Sequence, residues 1–374
     1  MHILHVVGAR PNFIKTAPVV AALSAHGVTQ TIVHTGQHYD ARMSGVFFKE
    51  LGIPEPDVNL EVGSGSHAVQ TAQIMQRFEP VVLERKPDIV LVYGDVNSTV
   101  AAALVCAKLL IPVAHVEAGL RSGDRSMPEE INRLLTDQLA NLLFTPSTDG
   151  DDNLLREGIP QEKIKLVGNV MIDTLIRLLP QAERRWPQLE TKFPPGHFVL
   201  VTLHRPSNVD DSRQLSSLLR ALGRIGRDMS VLFPVHPRTR QSIADGGLEV
   251  PQTIRLMEPQ GYLDFLALQS HAVAIITDSG GIQEETTFLG VPCLTLRDST
   301  ERPITVTLGT NILIGGDLER LQAELRRILA GQGKQGQRPP LWDGHASERI
   351  AEELIRNCSK NAAAEDGGWS ERKR

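Results

Sequence analysis

The chain has 374 residues, 41% of them hydrophobic, and a formal net charge of -5 at pH 7. This length exceeds the roughly 100–200 residues of one typical domain, so two hydrophobic cores are expected. Charges of both signs are dispersed along the chain without a basic face, which argues against nucleic acid as a partner. No apolar run approaches the ~20 residues that span a bilayer, and the N-terminus lacks a signal-peptide pattern. The sequence therefore predicts a soluble, cytoplasmic protein without a membrane partner.

Cysteines and histidines give no indication of a disulfide framework or a metal site. Cys106, Cys293 and Cys358 have neither disulfide-framework nor zinc-site spacing. We interpret them as structural residues in a reducing compartment. The histidines form no HExxH or paired-cysteine pattern, so no metal is predicted.

The first half of the chain alternates predicted strands and helices. A strand, HILHVVG, precedes the helix PNFIKTAPVVAALSAHG and the strand QTIVHTG. The alternation recurs in DIVLVYGD, STVAAALVCAKLL and PVAHVEAG. This pattern indicates βαβ units and a parallel sheet covered by helices on both faces.

A second set of strands begins with HFVLVTLH and continues through SVLFPVH, TIRLMEP, AVAIITD and PCLTLRD. It predicts a second doubly wound domain. We place the N-terminal domain at residues 1–168 and the C-terminal domain at 169–345. The helix of about residues 346–358 is expected to pack back on the first domain, and residues 360–374 to form a disordered tail. The predicted fold is α/β, with two Rossmann-like domains facing a central cleft.

Polar and ionisable residues follow strands in both predicted domains. Ligands of open α/β sheets bind beyond the carboxyl ends of the strands, and packing alone does not explain ionisable residues at so many strand ends. We therefore predict the site in the cleft. The residues are Arg10, Asp95 and Glu117 in the first domain, and His204, His236, Asp278 and Ser279 in the second.

The segment GARPNFIK occupies the place where a dinucleotide-binding fold carries GxGxxG. It has a single glycine, which disfavours a hydride-transfer enzyme because close approach of a pyrophosphate needs the missing glycines. Arg10 and Lys15 are instead suited to an anion. The alternative is that both are ordinary residues of a helix start.

The segment HVEAGLRSGDRSMPEEINR places Glu117 at a strand end, and Glu129 and Glu130 in the first turn of a helix. Carboxylates in a first turn complement the helix dipole, and Glu129 with Arg133 makes an i,i+4 pair. A purely structural role is therefore an equal alternative for this helix.

The segment TDSGGIQEET lies between an apolar strand and a short helix. Paired glycines there are typical of a backbone cradle for phosphate, because helix N-terminal amides attract anions. Glu284 and Glu285 follow in the expected first turn, which a phosphate site alone does not explain. TLHRP and PVHPR place His204 and His236 after strands, where each is suited to an anion.

Taken together, GARPNFIK, GDVNST, HVEAGLRSGDRSMPEEINR, TLHRP, TDSGGIQEE and TERP resemble the non-hydrolysing UDP-N-acetylglucosamine 2-epimerases, in order along the chain to about Ile355. The resemblance implies a GT-B-type fold, a homodimer, a UDP-sugar substrate and no cofactor. It implies reversible epimerisation of UDP-GlcNAc to UDP-ManNAc for cell-surface polysaccharide precursors. The implied route is anti elimination of UDP to 2-acetamidoglucal, followed by re-addition with protonation of the opposite face.

Residue-by-residue matching to the family assigns roles to individual positions. It implies that the amides of residues 279–281 hold the diphosphate and that Glu285 binds the ribose hydroxyls. Glu284 is then interpreted as a helix-dipole partner. The implied catalytic residues are Asp95, Glu117, Glu129, His204 and Arg133, of which Arg133 orients Glu129. Gln260 and Phe265 are implied to line the uracil pocket, although Phe265 fits a helix core equally well. The full set of implied substrate-binding residues is Arg10, Lys15, His236, Gln260, Phe265, Ser279, Gly280, Gly281, Glu285 and Arg302.

The sequence departs from the family pattern at two places. The first motif is GARPNF where many members have GTRPE, and the region after LEVGSGSHAVQ lacks a glycine–glutamine pair used in binding an activating second UDP-GlcNAc. Gln37 and His38 in TGQHYD still resemble part of that activator site. Allosteric activation is therefore a hypothesis.

Several alternatives stay open from the sequence. TGQHYDARMS and RSMPEEINR also resemble epimerases that act on UDP-2,3-diacetamido-uronic acids, and a hydrolysing epimerase would release ManNAc and UDP. A GT-B glycosyltransferase would need an acceptor pocket and fewer carboxylates. A non-catalytic nucleotide-sugar sensor would keep Arg10, Ser279 and Glu285, but it has no use for Asp95 and Glu117 together.

Overall fold

The computed structural model describes residues 1–36, 50–193 and 197–368. The chain forms two compact units, Met1–Thr174 with Pro340–Arg374 and Leu175–Pro339. The sequence places the boundary near Gly168, whereas the division falls inside a continuous helix, between Thr174 and Leu175.

The first unit is built on a parallel sheet with the strand order β3-β2-β1-β4-β5-β6-β7. The strands are β1 (His2–Val7), β2 (Thr29–His34), β3 (Val58–Asn59), β4 (Ile89–Tyr93), β5 (Val113–Val116), β6 (Leu142–Thr145) and β7 (Ile164–Leu166). The helices are α1 (Arg10–Ala25), α2 (His67–Arg85), α3 (Asn97–Lys108), α4 (Pro128–Leu139), α5 (Thr148–Arg156), the start of α6 (Val170–Glu190) and α14 (Ala346–Gly368).

The second unit has a parallel sheet with the strand order β10-β9-β8-β11-β12-β13. The strands are β8 (Phe198–Thr202), β9 (Ser230–Pro234), β10 (Ile254–Met257), β11 (Ala274–Thr277), β12 (Cys293–Thr295) and β13 (Asn311–Leu313). The helices after α6 are α7 (Pro206–Val209), α8 (Ser212–Ile225), α9 (Pro237–Asp245), α10 (Tyr262–His271), α11 (Gly280–Leu289), α12 (Pro303–Thr307) and α13 (Leu318–Leu329).

Both sheets are buried on their two faces, which explains the continuous apolar runs in the sequence. All residues of β4 are buried. In β8, Val199 and Val201 pack in one core cluster, whereas Phe198 and Leu200 pack in another. Because successive side chains of a strand point to opposite faces, the two clusters lie on the two sides of this sheet. The predicted α/β fold with two doubly wound sheets is confirmed.

The strand order reverses at one point in each sheet. The neighbours of β1 are β2 and β4, and the neighbours of β8 are β9 and β11. In open α/β sheets, ligands bind where the strand order reverses, beyond the carboxyl ends of the strands. The turns after β1 and β4, and those after β8 and β11, are therefore the places to look for a site.

The last helix, α14, packs against α1 of the first unit. Its start is held by Asp173, whose carboxylate accepts the backbone N–H groups of Ala346 (3.2 Å) and Ser347 (2.7 Å). Helical backbone continues to Gly368, where the sequence predicts a disordered tail from residue 360. Alanine has the highest helix propensity, and residues 362–364 are all alanine. Residues 369–374 lie outside the described residues.

None of the described helices is long and apolar enough to cross a membrane.

Gly168, between β7 and α6, is predicted to tolerate no side chain. It has φ of +89°, and a Cβ there would come within 2.1 Å of the backbone oxygen of Leu341. Gly168→Ala should lower the free energy of unfolding by about 2–4 kcal/mol through strain and overlap together. Gly158→Ala is the control: φ is +81° but nothing lies within 4 Å, so a smaller loss of about 1 kcal/mol is expected. Urea denaturation measures both, and equal losses would contradict the role of Leu341.

Candidate active site

A buried asparagine joins the turns that follow β1 and β4. The Asn12 side-chain oxygen accepts the backbone N–H groups of Gly8 (3.1 Å) and Ala9 (3.0 Å), and its Nδ2 donates to the carbonyl of Tyr93 at 2.8 Å. The turn that leads to Arg10 is thus tied to the turn that leads to Asp95. The sequence marked Asn12 only as a departure from the family motif. Arg10 begins α1, and its side chain lies outside the described residues.

Lys15 and Glu117 form a buried ion pair. Gly94 lies against this pair with φ of +61°, and a Cβ there would come within 2.7 Å of Lys15 Nζ. Glu117 itself has φ of +73°. A left-handed backbone costs a non-glycine residue about 1–3 kcal/mol, persists only where surrounding contacts enforce it, and is enriched at active sites.

Arg133 joins Asp95 to Glu130. Its Nη1 lies 2.5 Å from Asp95 Oδ2, and its Nη2 lies 2.7 Å from Glu130 Oε2. The side chain of Asp95 is 26% exposed, whereas that of Arg133 is 2% exposed. Glu130 also accepts the backbone N–H groups of Ser122 (3.0 Å) and Gly123 (2.9 Å). Burial raises the pKa of Glu130, but the hydrogen bonds from Ser122 and Arg133 outweigh it and leave the pKa below its ordinary value.

The predicted pair between Glu129 and Arg133 does not form. Glu130, at i,i+3 from Arg133, takes the guanidinium instead because its carboxylate is turned toward the donors of Ser122 and Gly123. Glu129 is half-buried and makes no hydrogen bond or ion pair in the part of the chain that the structure describes. Arg133 therefore orients Asp95, not Glu129.

In the second unit, the buried carboxylate of Asp278 organises the turns after β8 and β11. It accepts the backbone N–H groups of His204 (3.0 Å) and Arg205 (2.9 Å) and the Nδ2 of Asn208 (3.1 Å). It also lies 3.0 Å from His204 Nδ1, while the imidazole remains 41% exposed. Burial raises the pKa of Asp278, but the bonds from His204 outweigh it and lower the pKa. The sequence placed Asp278 at a strand end but gave it no task.

His236 lies beside His204, with ring centroids 5.7 Å apart. Its Nδ1 accepts the backbone N–H of Arg238 at 3.2 Å and so caps α9. The sequence predicted its position after β9 but not this capping bond.

The N-terminus of α11 presents Ser279, Gly280 and Gly281. Ser279 is the N-cap residue, and its side chain makes no capping hydrogen bond. A Cβ on Gly280 would come within 2.4 Å of Arg302 Nη1, so the missing side chain leaves room for a guanidinium at the helix start. An uncapped helix N-terminus beside an arginine is suited to a phosphate.

The predicted positions of Glu284 and Glu285 in the first turn of this helix are wrong. Because α11 begins at Gly280, both glutamates follow its first turn. Glu284 lies 2.9 Å from Arg302 Nε, so its partner is an arginine and not the helix dipole. Arg302 is also paired with Glu301, which lies 2.7 Å from Arg297 Nη2.

Glu285 is 2% exposed and held by two donors. Its Oε1 accepts the hydroxyl of Tyr262 at 2.8 Å, and its Oε2 accepts Nε2 of Gln269 at 2.6 Å. Burial raises the pKa of Glu285 although both hydrogen bonds oppose the rise. Neither Tyr262 nor Gln269 was singled out from the sequence.

The other predicted binding residues are placed as follows. Gln260 is half-buried, and its Nε2 donates to the carbonyl of Glu258 at 2.6 Å. Phe265 is half-buried and packs against the core cluster that contains Leu268. Gln37 and His38 lie outside the described residues. Among the described residues, no group of three or more His, Cys, Asp or Glu side chains could hold a metal ion.

Comparison with known proteins gives consistent results. Residues 21–355 match the family model described as UDP-N-acetylglucosamine 2-epimerase. The UDP-N-acetylglucosamine 2-epimerase of Methanocaldococcus jannaschii is 43% identical over 92% of this chain and 96% of its own length. The UDP-2,3-diacetamido-2,3-dideoxy-D-glucuronate 2-epimerase of Pseudomonas aeruginosa is 43% identical over 95% and 100%. A crystal structure of the M. jannaschii protein in complex with UDP-GlcNAc and UDP superposes with a TM-score of 0.89, covering 95% of this chain and 100% of that chain at 42% identity.

The two adjacent glutamates of α4 are expected to differ in their effect on stability. Glu130→Gln removes one of the two carboxylates that pair with the buried Arg133 and should lower the free energy of unfolding at pH 7 by about 3–5 kcal/mol. Because the pKa of Glu130 is lowered in the folded state, its contribution is complete above its ordinary pKa of 4.5 and is lost as pH falls through the folded-state value. The difference in the free energy of unfolding between the unaltered protein and Glu130→Gln should therefore shrink below pH 4.5.

Glu129→Gln is the matched control, with an expected change within about 0.5 kcal/mol. Urea denaturation between pH 3 and pH 8 measures both variants. An equal effect of the two substitutions would show that the contacts of Glu130 contribute nothing specific.

Proposed function

Because the chain belongs to the UDP-N-acetylglucosamine 2-epimerase family, we propose that it catalyses the reversible C2 epimerisation of UDP-GlcNAc to UDP-ManNAc. The proposal rests on one observation: the turns at the point where the strand order reverses carry different functional groups in the two sheets. The first unit places carboxylates at its strand ends, which suits proton transfer. The second places an uncapped helix N-terminus beside an arginine, which suits a diphosphate.

The reaction needs elimination because the C2 proton of the sugar neighbours an acetal carbon and no carbonyl acidifies it. A base accepts this proton, its C–H electron pair forms the C1=C2 bond, and the C1–O bonding pair leaves with UDP. The products of this half-reaction are 2-acetamidoglucal and UDP. Attack of the UDP oxygen on C1, with protonation of C2 on the opposite face, gives UDP-ManNAc.

We assign the proton transfers to carboxylates of the first unit. Asp95 is partly exposed and oriented by Arg133, Glu117 is held in a left-handed conformation beside Lys15, and Glu129 makes no bond among the described residues. One carboxylate removes the proton and another returns it to the other face. Such positioned acid–base groups typically contribute about 10²–10⁴-fold to a rate.

We assign the leaving group to the second unit. Negative charge grows on the phosphate as the C1–O bond breaks, and the amides of residues 279–281, Arg302 and His204 stabilise it. His204 is suited to this role because Asp278 fixes its Nδ1 while the ring stays partly exposed.

The remaining binding roles follow the family pattern. Glu285, held by Tyr262 and Gln269, is proposed to accept the ribose hydroxyls. Gln260 and Phe265 are proposed to contact uracil, and Arg10, Lys15 and His236 to add positive charge or donors for the anion.

A second candidate substrate rests on the comparison with P. aeruginosa. That relative is named a UDP-2,3-diacetamido-2,3-dideoxy-D-glucuronate 2-epimerase, and its identity of 43% equals that of the M. jannaschii protein. The same elimination and re-addition at C2 would serve this sugar. Overall similarity therefore does not separate the two substrates.

We also propose that the protein is a homodimer, as the resemblance implies, and that it works in the cytoplasm. Cys106, Cys293 and Cys358 are all free thiols, which fits a reducing compartment. Light scattering should give twice the mass of one chain.

The substrate is tested by incubating the purified protein with UDP-GlcNAc in D2O and following the sugar by proton NMR. Deuterium at C2 together with UDP-ManNAc is the expected result, because re-protonation draws on solvent. Free ManNAc and UDP would indicate a hydrolysing enzyme. Turnover of the diacetamido-uronate nucleotide alone would move the assignment to the second substrate.

Asp95→Asn should lower kcat by about 10²–10⁴-fold, because the amide cannot exchange a proton with C2. UDP should still bind with a Kd within about twofold, since Asp95 is not among the proposed UDP contacts. Asp152→Asn, an exposed carboxylate of α5, is the control and should keep normal turnover. Near-normal turnover of Asp95→Asn would remove Asp95 from the catalytic residues.

A further inference from the structure

A fully buried carboxylate on α4, Asp137, has no part in the proposed proton transfers. Its Oδ1 lies 2.6 Å from Nδ1 of His115, and its Oδ2 lies 2.7 Å from Nη2 of Arg121. Oδ2 also accepts the backbone N–H of Gly119 at 3.1 Å. The side chains of Asp137 and His115 are both 0% exposed, so neither can touch a substrate.

His115 continues the chain of hydrogen bonds to a second turn. Its Nε2 lies 2.8 Å from the carbonyl oxygen of Gly94. A carbonyl only accepts hydrogen bonds, so Nε2 is the donor, and Nδ1 faces the carboxylate of Asp137. The Gly94 carbonyl belongs to the peptide bond that leads into Asp95, so His115 holds the backbone at the start of that residue.

Gly119 continues the turn that carries Glu117. Both residues have positive φ, +73° for Glu117 and +81° for Gly119. A Cβ on Gly119 would come within 2.5 Å of the backbone oxygen of Gly150, so this turn is confined on one side by backbone. The hydrogen bond from the Gly119 amide to Asp137 confines it on the other.

Arg121 makes this arrangement stable. An unpaired buried carboxylate would be strongly destabilising, and the guanidinium supplies the opposite charge. Burial raises the pKa of Asp137, but His115 and Arg121 outweigh it and lower the pKa. Arg121 is in turn paired with Glu157 at 2.7 Å, which anchors it to the end of α5.

We propose that Asp137, acting directly on the turn of Glu117 and through His115 on the turn of Asp95, is the positioning residue that fixes the spacing of these two carboxylates. The inference rests on the proposed function, in which Asp95 and Glu117 transfer protons. A displacement of about 1 Å in a catalytic geometry can lower a rate by ~10²-fold. One buried side chain that reaches both turns is placed to prevent it.

The test compares Asp137→Asn with the unaltered protein. The variant keeps the side-chain volume but loses the charge, and its amide turns a donor toward Gly119, His115 or Arg121. The expected kcat is about 10- to 100-fold lower, with KM and the Kd for UDP within about threefold. Ile74→Ala, in the core of the same unit on α2, is the control for lost stability. It should lower the melting temperature at least as much while kcat stays within about twofold.

Hydrogen–deuterium exchange provides a readout that needs no turnover. Asp137→Asn should speed exchange in peptides covering residues 94–97 and 117–120, and Ile74→Ala should not. Unchanged exchange in both peptides, a kcat within twofold, or an equal kcat loss in Ile74→Ala would each overturn the proposal. If the unaltered protein turned over no UDP-sugar, the proposed function would fail, and the exchange experiment would still decide the role of Asp137.

Discussion

Burial of several carboxylates close to the ends of β4 and β5 is the constraint on which the first unit depends. A buried charge is strongly unfavourable unless it is paired and hydrogen-bonded. The chain meets this requirement by pairing these anions with cations, most of them from a different element, which also constrains the distances between the anions. The pairs are Lys15 with Glu117, Arg133 with Asp95 and Glu130, and Arg121 with Asp137.

The second unit combines charges of both signs at its strand ends. Arg205, Arg297 and Arg302 lie there with the carboxylates of Asp278, Glu284 and Glu301, next to the N-terminus of α11. The guanidinium groups and the N-terminus of α11 favour an anion there. The two sheets share one strand order over six strands, so the different chemistry at their strand ends comes from the residues that follow the strands and not from the scaffold.

Much of the fold could be predicted because strands buried on both faces leave continuous apolar runs, and a helix after each run implies a parallel sheet. The division between the units could not, because α6 is helical on both sides of Thr174 and no turn residue marks it. The residue at which α11 begins was also not predicted correctly. Two glycines after a strand are compatible with a loop or a helix start, and here Gly280 is already helical, which moves Glu284 into contact with Arg302.

The sequence predicted the candidate site residues that directly follow strands. It did not predict the contacts that hold these residues in place. Asp137 and His115 are 22 residues apart, and His115 reaches back 21 residues to Gly94. Local patterns such as i,i+4 spacing carry no information about contacts of this kind. Tyr262 and Gln269 were missed for the same reason, since only the fold brings their helix against Glu285.

The two glutamates that begin α4 show how neighbouring residues of one type are given different tasks. Glu130 accepts hydrogen bonds from Ser122, Gly123 and Arg133, so neutralising it would remove the anion that these three donors share. A carboxylate that makes no such bonds can change its charge without that penalty. Glu129, half-buried and unbonded among the described residues, can do so. The energetics of burial therefore favour our proposal that Glu129 takes part in proton transfer, whereas Glu130 belongs to the framework that holds Arg133 against Asp95.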